Sequence, residues 1–266
     1  MTTDTQSKPS LNYEELRDVI DLSLWAGQML LQHGASSQRV EETIHHLGTG
    51  LGCDWMDILV SPNVLIVTTS SQQEFRTKLR RVVRLGVNFW VVTAVNDLSR
   101  RVTAGQLDRH QVRQALRRID QEPAQYNRWL TVIMVGLACA AFSRLFGGGW
   151  PDFGITFLAA AVAMFIRQEL TRHYFNPNII VIIVAFVAGL IASTVALFQL
   201  SLTPNTALIS AVLLLVPGVP LINAADDILK GHLLMGIARG VTGLIISLAI
   251  ALGLLLAMRL MGVSGL

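Results

Sequence analysis

His173 to Ala225 reads HYFNPNIIVIIVAFVAGLIASTVALFQLSLTPNTALISAVLLLVPGVPLINAA, without a single Asp, Glu, Lys or Arg. A hydrocarbon layer of about 30 Å takes about 20 apolar residues to cross, so this run is too long for one span. The polar link Gln199-Leu200-Ser201-Leu202-Thr203-Pro204-Asn205 divides it, predicting membrane segments at about 179–200 and 206–221. Outward from there, further apolar runs predict segments at about 129–146, 153–168 and 240–258. The competing reading, a fully buried helical core in a soluble protein, is disfavoured by the length of the uncharged stretch.

Charge divides the chain in two. Of 18 acids only Asp152, Glu169, Asp226 and Asp227 lie beyond residue 128, and of 21 bases only Arg144, Arg167, Arg172, Lys230, Arg239 and Arg259 do. The 52% hydrophobic content, 15% charged content and mean hydropathy of +0.51 therefore average an ordinary soluble region with a membrane region. The expected architecture is a cytoplasmic α+β domain over 1–128, followed over 129–266 by an all-α polytopic membrane domain of about five transmembrane helices.

Basic residues orient the crossings. Arg113, Arg117, Arg118, Arg128, Arg167, Arg172, Lys230 and Arg239 fall on one set of loops, and Arg144 and Arg259 on the other. The expectation is an N-terminus on the inner, cytoplasmic side of the membrane and a C-terminus on the outer side. The opening MTTDTQSKPSLNYEELRD has neither a basic n-region nor an apolar h-region, so no signal peptide is expected. Cys53 and Cys139 lie far apart without metal-ligand spacing and read as free thiols. A net charge of +3 is too small to suggest a nucleic-acid partner.

In the first half, apolar spacing predicts a helix over 13–33 ended by Gly34, and a second helix capped by Ser36 or Ser37 with Glu41 and Glu42 near its positive end. Strands are expected at 55–60, 63–69 and 75–83, then helices at 88–103 and 104–120 leading to Pro123. His33, His45 and His46 form no HExxH pattern and read as a solvated face; no GxxxxGK[ST] loop is present. No catalytic residue, metal ligand or cofactor is expected. The basic run Arg76–Arg81 suits either anionic headgroups or a solvated edge strand.

The richest stretch is Val216-Pro217-Gly218-Val219-Pro220-Leu221-Ile222-Asn223-Ala224-Ala225-Asp226-Asp227. Pro217, Gly218 and Pro220 remove donors and free carbonyls, which lipid tolerates only where the backbone is buried in protein or lines a polar cavity. Asn223 shares a helix face with Asp226 and Asp227. One reading makes this break part of a transport path, with Asn223 orienting substrate and Asp226 or Asp227 taking a coupling proton. The other is a helix ending at the interface, with two acids capping the next. Gly148 and Gly149, beside Gly147 and Trp150, permit close backbone approach or form a plain interfacial hairpin. Arg167 either attracts an anion or snorkels to the inner surface.

His33-Gly34-Ala35-Ser36-Ser37, then Arg39-Val40-Glu41-Glu42-Thr43 and Ser61-Pro62-Asn63, resemble the N-terminal domain of the threonine/serine exporter family. Gly147–Trp150, Arg167-Gln168, Val216–Asp227 and Gly231 follow in that family's order, so the resemblance covers nearly the whole chain from about Leu11. Ending at Leu266, the chain resembles the family's split, YjjP-type form. That implies a small YjjB-type membrane subunit as partner, a bilayer, assembly as an oligomer, and export of small carboxylate metabolites. Succinate is the substrate implied for the split form, and threonine and serine for the fused form. The alternatives are a membrane-anchored enzyme, with the histidines, Ser36, Ser37 and Ser61 as its only candidates, or a sensor whose soluble domain binds a metabolite.

Overall fold

Helix α1 (Tyr13–Gln32) starts at a capping box: the Asn12 side chain accepts from the Glu15 amide, and Glu15 accepts from the Asn12 amide. That backbone bond and Arg109 hold the Glu15 carboxyl below the usual range. The computed structural model describes residues 11–71, 74–83, 86–121, 126–201 and 203–263. The opening ten residues, Pro123 in the expected link and Leu202 in the expected break lie outside the described residues.

The chain divides into two compact units, one of 1–123 with 219–240 and the other of 124–218 with 241–266. Residues 219–240, read from sequence as part of the membrane half, thus group with the N-terminal region. In the first unit α1 is followed by α2 (Ser37–Gly50), strands β1 (Trp55–Ser61), β2 (Val64–Ser71) and β3 (Glu74–Arg81), and helices α3 (Phe89–Thr103) and α4 (Arg109–Gln121). The strands form an antiparallel meander in which Leu59, Ile66 and Leu79 align across the sheet. Alternation sends Met56, Val60, Leu65 and Val67 into a core with Leu16, Ile20, Leu24, Ile44, Val95 and Leu116. Ion pairs of Lys78 with Asp21 and of Arg113 with Asp18 tie β3 and α4 to α1. Gly34, at φ +90°, turns α1 into α2, where a side chain would be strained.

The first unit also contains most of α9 (Gly218–Leu229) and the start of α10 (Leu233–Met261). Met235 joins its core. A Cβ on Gly236 would lie 2.9 Å from the Ala224 carbonyl, so α9 and α10 meet backbone to backbone.

The second unit inverts the packing pattern of a soluble domain. Helices α5 (Arg128–Leu145), α6 (Trp150–Arg172), α7 (Pro177–Leu197) and α8 (Pro204–Ala211) turn Ala159, Ala163, Ala185, Ala188, Ala192 and Ala211 inward. Large side chains such as Leu137, Phe142, Leu158, Leu248 and Leu252 face outward. Small residues let helices approach where apolar surroundings supply no hydrophobic drive between them. On α10 a Cβ at Gly253 would sit 2.5 Å from the Ile182 carbonyl of α7.

Four helices, α5, α6, α7 and α10, are long and apolar enough to cross a membrane, or five spans if the broken pair α8–α9 counts as one. The protein is therefore mostly helical with a small three-stranded sheet near its N-terminus. Among the bounds that differ from expectation, two bear on the site. α10 begins at Leu233 rather than near 240, because Arg239, which marked a boundary in sequence, is buried with a partner instead of ending the helix. The run expected as one segment at about 206–221 is divided into α8, a 3-10 turn at Leu213–Leu215, and α9.

Candidate functional site

The expected site residues fall into two groups, one in each unit. In the first unit, α9 carries Pro220, Asn223, Asp226 and Asp227. Asp227 is fully buried, and both of its oxygens are occupied. Oδ1 accepts from the Ser37 amide at 3.0 Å and Oδ2 from Arg239 Nη1 at 2.7 Å. Arg239 Nη2 donates to the Ala35 carbonyl at 2.7 Å, and Asn223 Nδ2 donates to the Gly34 carbonyl at 2.9 Å. Ser36 occupies the N-cap of α2 but makes no side-chain cap bond. The carboxylate of Asp227, 190 residues away, binds the first-turn amide instead. Glu41 and Glu42 lie beyond that first turn.

Asp227 therefore caps α2 from far along the chain. Asp226 is half-buried and pairs with Lys230 one turn on, at 2.7 Å. Beside this clasp, His232 Nδ1 stands 3.5 Å from Glu41 Oε1. Burial pushes the Glu41 carboxyl above its ordinary value of 4.5, and Asp227, Asp57 and Glu42 add to the effect while His232 opposes it.

In the second unit, Val216 and Pro217 interrupt the backbone between the 3-10 turn and Gly218. Arg167 on α6 donates to the Leu214 carbonyl at 3.1 Å while its side chain stays exposed. It thus serves a carbonyl at the break and keeps other guanidinium donors free for an acceptor. Gly147, at φ +87°, ends α5, and Gly148 donates its amide to the Ser143 carbonyl at 2.8 Å. A Cβ on Gly148 would fall 2.8 Å from that carbonyl, so the backbone approaches closely there, one of the two readings of these glycines. Gly149 is the N-cap of α6, its amide bound by Asp152 at 2.6 Å.

Sequence reasoning passed over two participants. From sequence Arg239 reads as an orienting charge, and nothing there marks the Ala35 carbonyl or the Ser37 amide as its partners in a shared clasp. The available signal was a lone Arg in an apolar helix, which calls for a buried partner. Among the described residues no group of three or more His, Cys, Asp or Glu is placed to hold a metal.

Removing one partner of a buried, hydrogen-bonded pair costs about 3–5 kcal/mol, whereas a surface pair is worth about 1 kcal/mol at most. Asp227→Ala should accordingly lower the melting temperature of the detergent-solubilised protein sharply, and Asp226→Ala hardly at all. Glu41 supplies a pH test. Its folded-state pKa is raised, so the folded protein holds the proton more tightly than the unfolded chain. Its contribution is complete below 4.5 and is lost as pH rises through the raised value. Thermal melts should show Glu41→Gln removing that decline and stabilising the protein at neutral pH.

The chain matches the putative threonine/serine exporter family over residues 21–261. It is 41% identical over 252 residues to the probable succinate transporter subunit YjjP of Klebsiella aerogenes, covering 94% of this chain and 97% of that one. The Escherichia coli protein of the same description is 39% identical over 255 residues, with 95% and 98% covered. The threonine/serine exporter of Corynebacterium glutamicum is 23% identical over 257 residues, which are 94% of this chain and about half (52%) of that protein. No solved structure matches. With several membrane-spanning helices and a match across nearly its whole length, the chain belongs to the threonine/serine exporter family of membrane exporters.

Proposed function

We propose that the chain is one subunit of a bacterial inner-membrane secondary exporter of small carboxylate metabolites, succinate first among them, working with a small YjjB-type membrane subunit. The observation that carries this reading is identity of about 40% to proteins described as succinate transporter subunits, along nearly the full length of both chains. In the proposed topology residues 1–128 are cytoplasmic, 129–266 form the membrane domain, and the broken pair α8–α9 supplies a fifth crossing that leaves the C-terminus periplasmic.

The proposed transport role of Pro217, Gly218 and Pro220 is to keep the backbone broken. An interrupted helix at membrane depth is how transporters expose carbonyls and helix ends to a substrate. Arg167 has the chemistry to meet a substrate carboxylate, since its guanidinium is a planar fork of five donors and retains some beyond the one given to Leu214. Asn223 is the proposed substrate-orienting residue of the first unit, and in the second unit the packing of Gly148 and Gly149 holds the α5–α6 turn tight. Asp226 and Asp227 serve this reading as the residues that secure α9, since each already has a basic partner. A second reading, export of threonine and serine, rests on the Corynebacterium glutamicum relative.

Proteoliposomes loaded with labelled succinate, threonine and serine distinguish these readings, using this chain alone and with the small subunit. Selective loss of succinate with both subunits present is the expected result. Selective loss of threonine and serine would favour the second reading. Retention of all three by correctly inserted complex would overturn the exporter assignment.

A further inference from the structure

Asp152 enters the site above only as the acceptor of the Gly149 amide, and its surroundings are unusual for an acid. It is fully buried in the first turn of α6. One oxygen, Oδ2, accepts from the Gly149 amide at 2.6 Å, from the Ser201 hydroxyl at 2.5 Å and, at 3.4 Å, from the Thr203 hydroxyl. The other, Oδ1, is buried without a hydrogen-bond partner among the described residues. So is the hydroxyl of Thr156, one turn further along the same helix face.

No ion pair among the described residues includes Asp152. The helices packed on α6 are α5, α7 and α8. α7 and α8 bear no titratable side chain, and α5 bears Arg128, Cys139 and Arg144. Arg128 pairs with Glu169 in the last turn of α6. Cys139 faces the Leu214 backbone. Arg144 donates to the Gly148 carbonyl at 2.6 Å and lies over the Trp150 ring at 4.8 Å. A buried carboxylate with one bare oxygen and no counter-charge is expensive unless a cation joins it. The helix dipole favours an acid in this first turn, but the bond to the N-cap amide uses only one of its oxygens and leaves the other unexplained.

A cleft adjoins the residues that bond the acid in the same unit. This cleft, of about 540 Å3, is lined by residues including Gly149, Gln199, Ser201 and Thr203. Gly149, Ser201 and Thr203 are the residues that bond Oδ2, so the cleft wall is also the wall of the carboxylate.

We infer that Asp152, with the hydroxyls of Ser201 and Thr156, is the site of the coupling cation, a small hard monovalent ion that enters from the cleft lined by Gly149, Ser201 and Thr203. A proton and a sodium ion share that chemistry. The inference rests on the exporter reading for its coupling role but not for binding.

The test uses the two-subunit complex in proteoliposomes loaded with labelled succinate, under an imposed proton gradient or an imposed sodium gradient. One gradient should stimulate wild-type efflux about fivefold or more, the usual scale of a coupling free energy. Asp152→Asn should abolish that stimulation, and Ser201→Ala should raise the cation concentration that gives half of it. In detergent, the melting temperature of the wild-type complex should rise with the same cation, sodium being compared with choline at fixed ionic strength and the proton by pH. That rise should vanish in Asp152→Asn. Succinate efflux indifferent to both gradients, or stimulated equally in Asp152→Asn, would overturn the inference. Should Asp152→Asn fail to fold, an unaltered half-stimulating concentration in Ser201→Ala would overturn it. If the wild-type complex moves no succinate, the exporter reading fails instead, and a melting temperature insensitive to both cations would then remove the binding site as well.

Discussion

Burial of the Asp227 carboxylate is the constraint on which the first unit depends. An ionised pair out of water is tolerable only when its remaining donors and acceptors are satisfied. Here Arg239 takes one oxygen and the Ser37 amide the other, while the second guanidinium nitrogen is used by Ala35. Each bond also solves a second problem. The amide would otherwise be an unmet donor at the start of α2, and the carbonyl an unmet acceptor in the α1–α2 turn. Asn223 repeats the arrangement at Gly34. The turn after α1 is thus completed by residues almost 200 positions later in sequence. Residues 219–240 accordingly group with the N-terminal region although the chain between them is largely apolar.

The second unit answers a different constraint. Helices that face lipid gain nothing by hiding large side chains from one another, so alanine and glycine occupy the contacts and leucine and phenylalanine the outside. Close packing leaves few places for irregular backbone, and the interruption at Val216–Pro217 is one of them. Arg167 meets the Leu214 carbonyl beside it. A break that recruits a cation for its own carbonyl has the chemistry to receive a carboxylate.

Much of the fold was legible in the sequence, because the signals were local. The uncharged run from His173 marks apolar helices, alternation marks the three strands, and Gly34 marks a turn that needs positive φ. The break at Pro217 was legible for the same reason, since proline acts on its own helix. The use of Asp227 was not. Helix spacing sets it beside Asn223 and Asp226, but its partners are an amide at Ser37 and a guanidinium at Arg239, and nothing local couples the three. Arg239 misled for a related reason. A charge in an apolar run reads as a boundary until its partner is known, so α10 was expected to start later than Leu233. Asp152 was passed over because one acid near a Pro and a Gly reads as an ordinary helix start, and its bare oxygen is visible only in three dimensions.

The central claim, that Asp227 fastens residues 219–240 to the start of α2, is open to amide hydrogen exchange on the full-length protein. In the wild type the amides of 35–44 should be protected. Asp227→Ala should release that segment together with 219–240 while the strands at 55–71 keep their protection. Exchange at 35–44 that is unchanged by the substitution would contradict the account.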